Sequence, residues 1–167
     1  MDAFADWLRV THLSLLFQAE VGWLWPLCES LHFLGICMLI GTAGFFDLRL
    51  LGLLRGVPLQ AAWKLIPWAK AALFVNFVTG LIFLISQPEQ YATNVSMWFK
   101  MLFLLVAGIN ALVFERLYAR RLFALAPHAD TPLAAKVIGG VSLVSWFAVL
   151  YFGRMIPYLI PNPQSGV

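Results

Sequence analysis

The stretch LWPLCESLHFLGICMLIGTAGFF, residues 24–46, decides the fold. At about 1.5 Å of rise per residue it crosses a hydrocarbon core of about 30 Å as one helix. Working outward, three further stretches repeat the pattern, at residues 65–85, 97–114 and 137–160. Each is bounded by polar or helix-breaking residues: Asp47 and Arg49, then Gln87-Pro88-Glu89, then Glu115-Arg116, then Pro157 and Pro161. Lipid leaves no water for unpaired backbone groups, so the stretches are expected to be helices. The expected fold is an all-α, four-transmembrane-helix bundle forming a single domain over residues 1–167.

Composition excludes a soluble reading. Hydrophobic residues make up 62% and charged residues 11% of the chain, more apolar surface than a soluble domain of this length can hide. The net charge of +3 comes from basic residues at segment ends, not from a stripe that tracks phosphates, so nucleic-acid binding is not expected. Cys28 and Cys37 are too far apart along one helix to bond to each other. Residues 1–9 lack the features of a cleavable signal peptide.

Charge placement gives an expected orientation. Arg49, Arg55 and Lys64 lie in or beside the first connection, and Arg116, Arg120, Arg121 and Lys136 lie in the third. The second, residues 87–96, has no Lys or Arg. The positive-inside rule then puts both termini outside a bacterial inner membrane. Residues 2–17, with Phe4, Trp7, Leu8 and Leu15, read as an amphipathic helix in the outer interface. The Pro-rich end from Pro161 reads as a disordered tail.

Ionisable residues inside a span cost at least about 2.5–3.5 kcal/mol near its centre, so each needs a reason. Glu29 and His32 on the first span, Lys100 on the third and Arg154 on the fourth all fall in the outer half, and convergence on one cavity is expected. Only His32, of three histidines, lies within a span, about 12 Å deep. A neutral imidazole is a ligand for haem iron or copper, and equally a hydrogen-bonding partner of a neighbouring helix. Lys100 and Arg154 either snorkel to headgroups or hold an anion. Small residues at Gly35, Gly41, Thr42 and Gly44 admit a planar group or a close helix. Asn76, Thr79 and Asn110 read as bonds between helices, and Asp47 with Arg49 as a pair at the inner mouth of the first span. Cys28 and His32, four apart, share a helix face and offer two ligands for copper, which Met101 or Met155 would complete only if packing brings them close.

The run from Trp25-Pro26 through His32-Phe33-Leu34-Gly35 to DLRLLG at residues 47–52, with Thr79-Gly80, Phe99-Lys100 and Gly153-Arg154, resembles a family of uncharacterised bacterial four-helix inner-membrane proteins. His32 and Trp98-Phe99-Lys100 resemble, more distantly, the HemJ-type protoporphyrinogen oxidases and the copper-resistance protein D group. That resemblance implies b-type haem held through His32, with Lys100 as second ligand, catalytic residue or propionate partner. The Trp–Lys spacing differs by one residue and DLRLLG lies outside the HemJ pattern, so haem binding is carried over and porphyrinogen oxidation is not. A di-haem bundle would want four intramembrane ligands, usually histidines, and one is present, so one haem per chain is expected. The leading expectation is a haem-b-binding membrane protein with a redox or electron-transfer role, acting with a redox partner or as a homo-oligomer. The alternatives are copper handling through Cys28 and His32, and a cofactor-free structural or accessory subunit.

The orientation has a direct test. In a background free of Cys28 and Cys37, Glu89→Cys should react with an impermeant maleimide on intact cells and Ala129→Cys should not; the reverse pattern inverts the topology.

Overall fold

Helices close their own backbone hydrogen bonds, and the computed structural model, which describes residues 22–126 and 129–159, is built from them with no strand among those residues. The expected N-terminal interfacial helix and C-terminal tail lie outside the described residues. Four helices are long and apolar enough to span a membrane: Leu24–Leu50, Leu59–Ser86, Val95–Phe123 and Leu133–Tyr158.

The first span is α1, Leu24–Leu50, with Pro26 in its first turn, where a missing N–H costs nothing. Its end explains the DLRLLG run. Gly52 has φ +85°, a left-handed conformation that a side chain resists. The Gly52 N–H donates to Arg49 O at 3.1 Å and the Leu53 N–H to Leu48 O at 3.1 Å, the two bonds of a Schellman stop. The second span combines the short α2, Leu59–Trp63, with α3, Ile66–Ser86, which carries Pro67 in its first turn. After α4, Pro88–Ala92, the third span begins as α5, Val95–Val113, then passes through a π-helical turn, Phe114–Tyr118, into α6, Ala119–Phe123. The fourth is α7, Leu133–Met155, followed by a 3-10 turn, Ile156–Tyr158. The first and third helices run past the charges expected to bound them. Asp47 and Glu115 mark where the apolar stretch stops, but a charge breaks no backbone hydrogen bond.

Helix α1 packs on both α3 and α7, and α7 packs on α5. The remaining side, between α3 and α5, is bridged by Lys70 Nζ and Glu115 Oε1 at 2.6 Å. The basic end of the bundle is filled by a core around Phe46, Leu50, Leu122 and Phe114, with Phe46 and Phe114 meeting edge to face at 5.3 Å. Thr131 Oγ1 donates to Leu50 O at 2.6 Å, and Asp130 ties Arg55 (3.2 Å) to Lys136 (2.9 Å) over the same end.

The Asp47–Arg49 pair is not formed. Residues two apart on a helix do not face each other. Arg49 turns to the loops, its Nε donating to Val57 O at 2.6 Å and its Nη2 to Ala129 O at 3.3 Å, while Asp47 is buried and lines a cavity within the bundle.

The α1–α7 contact depends on Gly139, where a Cβ would stand 2.9 Å from both Asp47 O and Leu50 Cβ. Gly139→Ala should therefore cost about 1–3 kcal/mol by overpacking. Gly41→Ala, where a Cβ meets nothing within 4 Å, should change stability by less than about 0.5 kcal/mol. Thermal unfolding of the two variants in the same detergent compares them.

Candidate functional site

At the other end, where α1 and α5 begin and α3 and α7 finish, the helices separate around a cavity of about 340 Å³. Glu29 and His32 enter it from α1, Phe83 from α3, Tyr91 from α4, Lys100 from α5 and Arg154 from α7. All four ionisable residues singled out from their common depth thus line one cavity.

His32 is oriented by its neighbour. Its Nδ1 lies 2.7 Å from Thr79 Oγ1, and Thr79 Oγ1 lies 2.8 Å from Val75 O one turn back on α3. The threonine has one hydroxyl proton, and directing it at the imidazole would leave two oxygen lone pairs facing each other at 2.8 Å. The proton therefore goes to Val75 O, and the His32 Nδ1–H donates to Thr79. Nε2 then carries the lone pair, the state in which an imidazole ligates a metal, with its other nitrogen held by a second partner. An aromatic wall backs the ring. Phe83 lies 5.2 Å from His32 and 5.2 Å from Trp25, and stacks on Tyr91 at 6.3 Å.

Lys100 lies across Gly153, where a Cβ would come 3.6 Å from its Cδ and 3.5 Å from its Nζ. Among the described residues its ammonium has no hydrogen-bond or ion-pair acceptor. Arg154 is at the exposed rim, with Nη2 3.2 Å from Tyr158 Oη and its guanidinium 5.4 Å from the Tyr158 ring centre. Glu29 is exposed and bonded to neither cation. The site is an apolar-walled cavity with an imidazole lone pair, two cations and the exposed Glu29 carboxylate, net positive and suited to an amphipathic anion.

The small residues of α1 divide in their roles. A Cβ at Gly35 would stand 2.5 Å from Asn76 Nδ2, so that glycine serves close approach of α1 and α3, and Gly41 faces open space. Asn110 joins helices by donating to Ile138 O at 3.0 Å, whereas Asn76 donates to Ala72 O of its own helix at 3.0 Å. Both cysteines are free; Cys28 is buried with its thiol directed at Thr79 O, 4.0 Å away, and Cys37 lines the cavity. His12 and His128 lie outside the described residues.

Tyr91 and Asn94 were not expected at the site. Asn94 is buried, caps α5 by accepting from the Ser96 N–H at 2.9 Å, and donates at 2.8 Å to the carbonyl of Ile156, which lines the cavity, so it ties the start of α5 to the end of α7. The Asn ahead of an apolar run is the sequence signal for that cap. Burial pushes the Tyr91 phenol up to about 12, with the Glu29 carboxylate and the Cys28 thiol adding to the effect. Tyr91 therefore stays a neutral hydrogen-bond donor throughout the physiological range. Glu29→Gln removes a charge that opposes phenolate formation and should lower this value, seen in a tyrosinate absorbance titration as the step that Tyr91→Phe deletes.

None of the curated proteins and none of the solved structures matches the chain. A family model does match, over residues 4–159, nearly the whole length and all four spans. The chain belongs to the family of unknown function DUF6644.

Proposed function

We propose that the chain is a haem-b-binding protein of a bacterial inner membrane, with both termini outside and the cavity opening toward the outer leaflet, and that its role is electron transfer. The observation that carries this reading is the joint presence, around one apolar-walled cavity, of the His32 lone pair and the unpartnered Lys100 ammonium. The residues fit the group. His32 Nε2 is a nitrogen ligand for iron, its ring held by Thr79. Phe33, Phe83 and Leu150 supply apolar surface for a macrocycle, and Lys100 and Arg154 match two propionates. When bound, haem supplies reversible one-electron chemistry at its iron. The protein's part is to ligate through a fixed imidazole, exclude water with the aromatic wall and neutralise the acid tails. The distant likeness to HemJ-type proteins, carried by His32 and Lys100, agrees with this reading. The second ligand would be Lys100, a group from another protomer, or none; a redox partner or second copy would meet the exposed rim at Arg154.

Copper handling has less support, because the Cys28 thiol is directed at Thr79 O and no group of three His, Cys, Asp or Glu gathers among the described residues. The cofactor-free reading leaves Lys100 to snorkel toward headgroups from the cavity and gives the His32 lone pair no partner.

Ligand variants test the proposal. His32→Ala should abolish haem retention, since no other histidine lies within the four apolar stretches of the sequence. If Lys100 ligates iron, Lys100→Ala should turn the oxidised spectrum from low-spin to high-spin while haem is kept. If it pairs with a propionate, the spectrum should hold while haem is bound roughly tenfold to a hundredfold more weakly, the worth of a charge-assisted bond. Arg154→Ala should follow the second pattern. An unchanged Soret band in His32→Ala overturns the assignment.

A further inference from the structure

Helix α1 packs on α3 and α7, and α7 on α5, so the side between α3 and α5 is the one that helix packing does not close. A groove of about 430 Å³ runs down that side, lined along α5 from Leu104 to Leu112 and, at its basic end, by Lys70 and Glu115. Eleven residues separate Leu104 from Glu115. At helical rise they cover about 16 Å, the depth of one leaflet of a hydrocarbon core about 30 Å thick. At Gly108 a Cβ would meet nothing within 4 Å, so this glycine serves no close approach of helices and keeps the groove open. The chemistry at the basic end is cationic. Trp68, 60% exposed at the start of α3, marks the headgroup level, where tryptophans collect, and Lys70 lies about 3 Å deeper. Lys64, Arg116, Arg120 and Arg121 are exposed at this end, and none has an acidic partner among the described residues. Gln60 Nε2 donates to Phe123 O at 2.9 Å and holds α2 against α6, which brings Lys64 and the arginines to one rim. The acids there are already matched or withdrawn: Glu115 by Lys70 at 2.6 Å, Asp130 by Arg55 and Lys136, and Asp47 by burial.

We propose that the α3–α5 side binds an anionic phospholipid of the leaflet at the basic end, with one acyl chain in the groove and the phosphate on the rim of Lys64, Arg116, Arg120 and Arg121. The length and apolar lining of the groove fit an acyl chain. The unpaired cations beside its mouth fit a headgroup of net negative charge and give it preference over a zwitterionic one. Each Lys or Arg near an anionic membrane surface strengthens the attraction roughly fivefold. The proposal is independent of what fills the cavity lined by His32 and Lys100.

The test is photolabelling of the full chain in phosphatidylcholine nanodiscs, with a phosphatidylglycerol that carries a diazirine on its acyl chain. Labelled residues are mapped by mass spectrometry, and unlabelled phosphatidylglycerol and phosphatidylcholine compete for the site. Label should concentrate on α5 between Leu104 and Leu112, and phosphatidylglycerol should displace it at roughly a tenth or less of the phosphatidylcholine concentration. Replacing three rim charges together, Arg116→Gln, Arg120→Gln and Arg121→Gln, should erase most of that preference, since three fivefold contributions multiply to about a hundredfold. Should the triple variant fail to fold, salt takes its place on the wild type. Raising it from about 0.1 M to about 1 M shortens the screening length from about 10 Å to about 3 Å and should reduce the preference likewise. Label spread evenly around the bundle means bulk lipid, and a groove free of label means that another chain covers it; either overturns the proposal. So does equal displacement by the two lipids, or a preference that the loss of the rim charges, or their screening, leaves intact.

Discussion

Hydrocarbon gives a polar group no partner, so every such group in this chain has to be matched within the bundle. Most are matched locally. Thr42, Asn76, Thr79 and Ser145 each donate to the carbonyl four residues earlier on their own helix, at 2.6, 3.0, 2.8 and 2.7 Å. A smaller set crosses between elements: Asn110 to Ile138, Asn94 to Ile156, Thr131 to Leu50. What this matching leaves over includes the cavity lined by His32 and Lys100 and the buried oxygens of Asp47, Asn76 and Ser96. Of these, His32, Lys100 and Asp47 are ionisable, and an ionisable group within a span is the kind that calls for a functional reason.

The ends of the bundle divide the work. The basic end holds the aromatic and aliphatic core, the helix stop at Gly52 and the Asp130 ion cluster. It is the rigid base. The other end is held by Asn94 across α5 and α7 and by the Phe99–Phe152 stack at 5.0 Å, and there the helices part enough to admit a ligand. A fixed base and an open rim are what a site needs to keep its geometry while a bulky occupant enters.

Hydropathy revealed the four spans because bilayer thickness imposes a length that 20-odd apolar residues meet plainly. The convergence of Glu29, His32, Lys100 and Arg154 was legible from depth alone, since charges at one level of a small bundle have few places to go. Rotation of each helix about its axis was not legible. In a soluble helix the apolar stripe names the buried face, but lipid and core are both apolar, so that signal vanishes. For this reason the hold of Thr79 on the His32 ring, the inward turn of Asp47 and the outward turn of Arg49 all escaped the sequence reading. Helix ends escaped for a related reason: Glu115 and Arg116 leave the hydrocarbon, yet the helical backbone continues through a π turn to Phe123.

The central claim is that the cavity lined by His32 and Lys100 is a haem site with one imidazole ligand from the chain. The most direct measurement is the haem content of wild-type protein purified from haem-replete cells, as a pyridine haemochrome against protein concentration. The account predicts about one b-type haem per chain, in line with the single histidine within the four apolar stretches. Colourless protein with no extractable haem would contradict it.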